Sequence, residues 1–251
     1  MKASMFSLAL ICLGTSALHA ATYIWTGNSG NGLYSNSGNW AVNGSPNGYY
    51  PQHSVNDDAI IGSNQGIITW STGSAYFGAT NTITIGSGST LLCHAEKGDL
   101  NVNKFTLEGN AKLEFTTTNA IGLGRDFTID FGNFTANSHG SWITGDTLAS
   151  FWTNGKTVSL EGTFNTSGLT GTGTIELVSI SSAMSGGNLQ FDVNGLNITS
   201  TPTMNVYLEQ ITENGRTKVL VHYSENIPEP TTVTLSLLGL SGLLLRRRRT
   251  T

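Results

Sequence analysis

Four triplets of one form, an apolar residue, a hydroxyl residue and an apolar residue, recur through the middle of the chain. They are Ile83-Thr84-Ile85, Phe105-Thr106-Leu107, Phe127-Thr128-Ile129 and Val158-Ser159-Leu160, and their starts lie 22, 22 and 31 residues apart. Such alternation marks a strand, because successive side chains on a strand point to opposite faces. A strand that returns every ~22 residues matches one coil of a parallel β-helix, in which each turn stacks on the turn below. The first two triplets also continue alike, as Gly86-Ser87-Gly88-Ser89-Thr90-Leu91 and Gly109-Asn110-Ala111-Lys112-Leu113. In such a solenoid both apolar members of a triplet face the core and the Thr or Ser faces out. The longer third interval is expected to hold a loop that includes Ser138-His139-Gly140-Ser141-Trp142.

Between Ala21 and Glu225 no helical period is sustained for 12 residues. The chain has 31 glycines in 251 residues and only 11% charged side chains. Thr suits a pleated surface, while Gly and Asn supply the turns. The fold class expected for residues 21–223 is therefore all-β. It is a parallel β-helix or solenoid with ~22-residue coils, or alternatively a β-sandwich, which also gives short strands at turn-punctuated intervals. Gly195-Leu196-Asn197-Ile198 to Val219-Leu220-Val221 reads as closing strands, with a turn at Glu213-Asn214-Gly215-Arg216.

Charge excludes one class of partner. From Ala21 to Ile227 there are seven basic and fifteen acidic side chains, a net of −8, with no basic patch among the aromatics. Such a surface repels phosphate backbones, so nucleic acid is not an expected partner.

The two ends carry an address. Met1-Lys2 and the apolar run Met5–Leu13, followed by Ala17 and Ala20, read as a secretory signal peptide over residues 1–20. Ile11 stands where a lipoprotein signal needs a small residue before Cys12. Loss of Cys12 with the signal leaves Cys93 alone, without an internal disulfide and expected to be buried beside Leu91 and Leu92. After a linker at 224–227, residues 228–251 run from Pro228-Glu229-Pro230 through the apolar stretch Thr231–Leu245 to Arg246, Arg247, Arg248 and Arg249. A hydrophobic helix of that length reaches only ~22 Å, so snorkelling arginines and local thinning must complete a span of ~30 Å. Arginines held on the cytoplasmic side place everything before Pro228 across the membrane.

Pro228-Glu229-Pro230, Leu238-Gly239-Leu240 and the arginine cluster together resemble the PEP-CTERM sorting signal over about 25 residues. That resemblance implies recognition by an exosortase, a membrane protease-transpeptidase, with Pro228, Glu229 and Pro230 as the recognition element. It also implies a cell-envelope or extracellular destination, initial anchoring in inner-membrane lipid, and association with exopolysaccharide or biofilm systems. A second resemblance covers about 40 residues: Trp25-Thr26-Gly27, Ser37-Gly38-Asn39-Trp40, Pro46 and Asp57-Asp58-Ala59-Ile60-Ile61 are similar to the start of autotransporter-passenger-like β-helical proteins. The physical role expected of Trp25 and Trp40 is a cap over the first coil, with Asp57 or Asp58 closing a turn. A glycan contact through Trp25 and Trp40 is the alternative role.

Chemistry-bearing motifs are few. His53, His94, His139 and His222 are far apart, and none has metal-ligand spacing. Cys93 and His94 are strand neighbours, which point to opposite faces and make a poor nucleophile-base pair. Gly122-Leu123-Gly124 and Gly171-Thr172-Gly173 lack a following helix and read as turns. Carboxylates remain: Asp57-Asp58, Glu108-Glu114 and Asp126-Asp130 as acid-base or calcium pairs, with stacking also able to bring Glu108 near Asp130. No catalytic residue, metal site or cofactor is expected. The expected function is that of an exported, envelope-sorted, non-catalytic surface or extracellular-matrix protein with polysaccharide as ligand. The alternative is a carbohydrate-active enzyme, a polysaccharide lyase or glycoside hydrolase, on a β-helix.

Overall fold

A computed structural model describes residues 20–46, 48–52, 56–72, 77–95, 98–117, 121–135, 143–145, 151–152, 155–181, 191–199 and 204–226. The signal peptide apart from Ala20, the tail from Ile227 to Thr251 with its sorting residues, His53, His139 and Trp142 lie outside the described residues. Among the described residues no helix is long and apolar enough to cross a membrane.

The described part is all-β. In chain order the strands are β1 (Thr22–Trp25), β2 (Trp40–Val42), β3 (Asp58–Ile61), β4 (Gly66–Thr72), β5 (Phe77–Ile85) and β6 (Ser89–Ala95). Then come β7 (Gly98–Leu107), β8 (Lys112–Thr117), β9 (Ile121–Leu123), β10 (Phe127–Thr135), β11 (Ile143–Gly145) and β12 (Phe151–Trp152). The last five are β13 (Val158–Asn165), β14 (Thr172–Ser181), β15 (Phe191–Thr199), β16 (Met204–Glu213) and β17 (Arg216–Glu225). A 3-10 turn at Ser37–Asn39 precedes β2.

These strands form two open sheets. The first has the order β15-β13-β10-β7-β5-β3-β1-β2, with β9 beside the start of β7 and β12 beside β9. The second has the order β16-β17-β14-β11-β8-β6-β4. From β3 to β8 the chain alternates between them, one strand to each in turn. Neighbours from β1 to β15 in the first sheet, and from β4 to β14 in the second, run parallel. Antiparallel pairing occurs at the ends, between β1 and β2 and among β14, β17 and β16. Both sheets are therefore mixed, and the β16–β17 hairpin turns at Asn214-Gly215 as its sequence predicts. The last strand runs through Glu225, two residues into the segment read as linker.

The triplets lie where their alternation puts them. Ile83, Ile85, Phe105, Leu107, Phe127, Ile129, Val158 and Leu160 are all buried, while the hydroxyl residue between each pair is half-buried on the outer side. One interval differs from the spacing read along the sequence. Ile83 stands opposite Phe105 and Ile129 opposite Leu160, but Phe105 faces Ile129 rather than Phe127. The offset there is 24 residues. A slip of two leaves every side chain on its own face, so the pattern of burial cannot distinguish the two registers. Gly122 and Leu123, read as part of a turn, belong to β9.

Opposite this row the second sheet contributes Ile68, Leu91, Cys93, Leu113, Phe115 and Ile143 to the same apolar cluster. Desolvation pushes the buried Cys93 thiol up, so it packs as a small hydrophobe rather than reacting as a thiolate. His94, on the opposite side of β6, holds the Thr116 hydroxyl at 2.9 Å.

At the N-terminal end the core is closed by aromatic rings. The indole N–H of Trp40 donates to the Tyr34 carbonyl at 2.6 Å, Trp25 meets Trp40 edge-on with centroids 5.1 Å apart, and Tyr34 stacks on Trp70 at 4.4 Å. The buried Asn39 amide donates to Asn31 and to the Leu33 carbonyl and accepts from the Ser29 N–H, so its desolvation is offset by bonds. Asp57 accepts from the Ala21 N–H at 3.1 Å, tying β1 to the chain entering β3.

A row of polar side chains crosses three strands and the bend before β10 on the outside. Arg125 donates to the Asn103 amide oxygen at 2.6 Å, Asn103 donates to Asn81 at 3.2 Å, and Asn81 donates to the Asp58 carboxylate at 2.9 Å. Each donor points the same way, from a guanidinium at one end to a carboxylate at the other. The charges fix the amide orientations between them, and aligned hydrogen bonds of this kind reinforce one another.

Candidate functional site

The outer face of the first sheet is interrupted where β10, β13 and β15 run side by side. Register breaks between Asp130 and Asn133 on β10, and again between Ser159 and Glu161 where β13 meets β15. Bulges of this kind bend a strand and re-aim its side chains. Glycine accommodates the first: Gly132 in the bulge has φ +58°, and Gly162 opposite it on β13 has φ +142°. A Cβ on Gly162 would stand 3.0 Å from the Gly132 carbonyl oxygen, and one on Gly195 would stand 2.8 Å from the Leu160 carbonyl oxygen. Bare backbone thus floors an open groove of about 450 Å³.

Two polar rows wall the groove. Asp130 lies opposite Glu161, and Glu161 opposite Gly195; Asn133 lies opposite Thr163, and Thr163 opposite Asn197. All of these line the groove. Lys104 on β7 reaches up to the acidic row, with its ammonium 2.8 Å from Asp130 and 3.4 Å from Glu161. The other Asp130 oxygen accepts the Gly132 N–H at 2.8 Å, which pins the first bulge.

Burial alone would push the Asp130 carboxyl up, but the Lys104 ammonium and the Gly132 N–H outweigh it and hold the group below its ordinary value. The hydrogen bond to Asp130, helped by Glu161 and set against partial burial, raises Lys104. Both groups are therefore charged throughout the neutral range. With two carboxylates and one ammonium the cluster keeps one net negative charge. The other wall offers amide and hydroxyl groups that both donate and accept. Among the described residues no aromatic or large apolar side chain lines the groove.

The carboxylate pairs expected from sequence are not brought together in this site. Asp126 accepts the Thr157 N–H at 2.7 Å, while Asp130 faces Lys104. Glu108 is exposed beyond the end of β7; the 24-residue register places Thr106, not Glu108, opposite Asp130. Asp58 accepts from Asn81 and from the Thr82 N–H. Among the described residues no group of three or more His, Cys, Asp or Glu side chains is placed to hold a metal ion. Trp25 and Trp40 are 7% and 0% exposed and pack edge-on against each other in the aromatic cluster at the N-terminal end. Lys104, Asn133, Glu161, Thr163 and Asn197 were not singled out by sequence. The one signal present is an acid and a glycine following three of the four triplets, which marks Glu161-Gly162 as it does Asp130-Phe131-Gly132 but none of the others.

The fold and groove together define an all-β protein of two mixed sheets whose outer face carries a polar, weakly acidic cleft. Comparison with protein-family models, with curated proteins and with solved structures gives no match to this chain.

Proposed function

We propose that this chain is an exported, non-catalytic component of a cell surface or extracellular matrix, built on a parallel β-helix and binding polysaccharide through the groove over β10, β13 and β15. The solenoid reading is supported by parallel pairing between strands 22 to 24 residues apart in both sheets. A β-sandwich is made of antiparallel sheets instead. Export by residues 1–20 and sorting by Pro228, Glu229, Pro230 and the terminal arginines rest on the sequence. Exosortase and inner-membrane lipid are their proposed partners.

The observation that carries binding is the pair of polar rows facing each other across a glycine floor. Hydroxyl-rich chains are recognised by such convergent donors and acceptors, and the bare backbone lets a polymer lie close. The same groove argues against the enzyme alternative. A glycosidase acid must hold its proton near neutrality, whereas Asp130 is held below its ordinary value. A lyase base must be neutral at working pH, whereas Lys104 is raised.

The test is to incubate the purified protein with a panel of neutral and acidic glycans, scoring retention and cleavage together. Retention without cleavage, weakened at least tenfold by Asn133→Ala with Asn197→Ala, is expected. Cleavage that disappears in Asp130→Asn or Glu161→Gln would establish the enzyme in its place.

A further inference from the structure

The second sheet ends in an exposed aromatic ring that the groove does not use. Tyr207 on β16 is 59% exposed, although its strand neighbours Val206 and Leu208 pack inward against the core. A large aromatic on a solvated face is ordinarily loose. This one is held. Its ring stacks on His222 of β17, with centroids 4.7 Å apart and planes 17° from parallel. The imidazole is fixed in turn at both nitrogens: Nδ1 lies 3.0 Å from the Thr174 hydroxyl on β14, and Nε2 lies 2.8 Å from a Glu209 carboxylate oxygen on β16. A row across three strands therefore sets the plane of one exposed ring.

We infer that Tyr207 is a stacking platform for a pyranose ring of a neutral, β-linked polysaccharide. His222 covers one face of the phenol. The other looks off the sheet, since β16 is the terminal strand of that sheet among the described residues. A β-linked hexopyranose presents a flat face of C–H bonds to an aromatic ring and a rim of hydroxyls around it. The strand supplies partners for that rim. Asn205 and Glu209 are exposed two residues to either side of Tyr207, on the same face and about 7 Å away along β16. An amide on one side and a carboxylate acceptor on the other suit hydroxyls of the stacked sugar and its neighbours.

Charge selects among glycans. The segment from Ala21 to Ile227 has a net charge of −8, and Glu209 stands beside the ring, so a uronate polymer is repelled where a neutral chain is not. A protein partner would need a contiguous apolar patch, whereas Asn205 and Glu209 flank Tyr207 with polar groups. This inference rests on the polysaccharide reading above and adds a second contact, on the other sheet, together with the class of sugar.

The experiment measures binding of cellohexaose and of hexagalacturonate to the full chain by calorimetry. The variants are Tyr207→Ala, Tyr207→Phe, and Asn133→Ala with Asn197→Ala. Tyr207 packs on the outside, and circular dichroism checks each variant's fold. Cellohexaose is expected to bind the unmodified protein and Tyr207→Phe alike, to lose at least tenfold in affinity to Tyr207→Ala, and to bind better than hexagalacturonate. Affinity unchanged in Tyr207→Ala, or hexagalacturonate bound as tightly as cellohexaose, would overturn the platform. If binding is then lost only in the Asn133→Ala, Asn197→Ala variant, the groove reading stands without it. A protein that does not bind cellohexaose overturns the platform, and one that also retains no member of the glycan panel overturns both.

Discussion

Gly86 and Gly62 occupy the same corner in consecutive passes of the chain, one stacked against the other, and replacing each with alanine has opposite consequences. A Cβ built on Gly86 stands 2.6 Å from both the Gly62 carbonyl carbon and the Ser63 nitrogen, and neither is a flexible side chain that can swing away. Restoring ordinary contact at 3.4 Å requires the two turns to part by about 0.8 Å. Two backbone bonds cross that gap, Gly86 N–H to the Ile61 carbonyl at 2.8 Å and Asn64 N–H to the Ser87 carbonyl at 2.9 Å. Stretched by that amount, both pass ~3.5 Å and cease to be useful bonds. At ~1 kcal/mol each, with lost packing of the adjoining Ile61 and Ile85, Gly86→Ala should cost about 2–3 kcal/mol. On Gly62 the nearest atom to a new Cβ is the Gln65 amide nitrogen at 3.8 Å, and φ lies outside the left-handed region. Gly62→Ala should be neutral or stabilise by up to ~1 kcal/mol, through the entropy of the unfolded chain. Urea denaturation followed by far-ultraviolet circular dichroism measures both. Equal stability of the two variants would refute the reasoning, because it would mean the stacked turns do not hold the positions described.

The polar row from Arg125 to Asp58 should behave as a unit: Asn103→Leu removes its middle, leaves partners on both sides unpaired, and should cost about 1–2 kcal/mol in the same assay, against a smaller effect for Asn103→Gln. The Asp130–Lys104 pair should be a modest, pH-limited contribution. Because Asp130 is held below 3.8 in the folded chain, its share is present above that value and disappears as pH falls through the lower folded value; Lys104, raised above 10.5, keeps its share until pH climbs past that. Both side chains are a quarter or more exposed, so Asp130→Asn should lose no more than ~1 kcal/mol at pH 7 and progressively less as the medium is acidified below 3.8, as read from denaturation midpoints across pH.

Much of the fold was legible because burial writes a period of two into sequence. Ile83-Thr84-Ile85 and its three counterparts announced strands, faces and an interval between passes, all visible without partners. The same period hid the register. Phe127 and Ile129 are both apolar and both face inward, so nothing in their pattern says which of them meets Phe105. That choice moved Asp130 away from Glu108 and toward Lys104, whereas its place opposite Glu161 follows from the unshifted triplet alignment of β10 with β13. The Asn81-Asn103 pair was legible in principle, since each precedes its triplet by two residues and Arg125 does the same before Phe127. Tyr207 was not, because alternation on β16 gives its side but not the His222 ring that holds it.

Stacking explains why the outer rows matter beyond stability. Parallel strands lie ~4.8 Å apart, so a row of matched positions repeats a chemical group at that interval along the stack. Asn133, Thr163 and Asn197 make one such row, and Asp130 with Glu161 begins another. The bulge on β10 parts Asp130 from Asn133 and so separates the two rows there, while the break between β13 and β15 lies just before Glu161 pairs with Gly195. A ligand that is itself a repeating polymer can then satisfy several weak contacts at once, each lowering the chance that the others release it together. Single small molecules gain little from such a surface. A chain-like, hydroxyl-rich ligand is therefore proposed on the strength of polar groups repeated across the strands, along the stack.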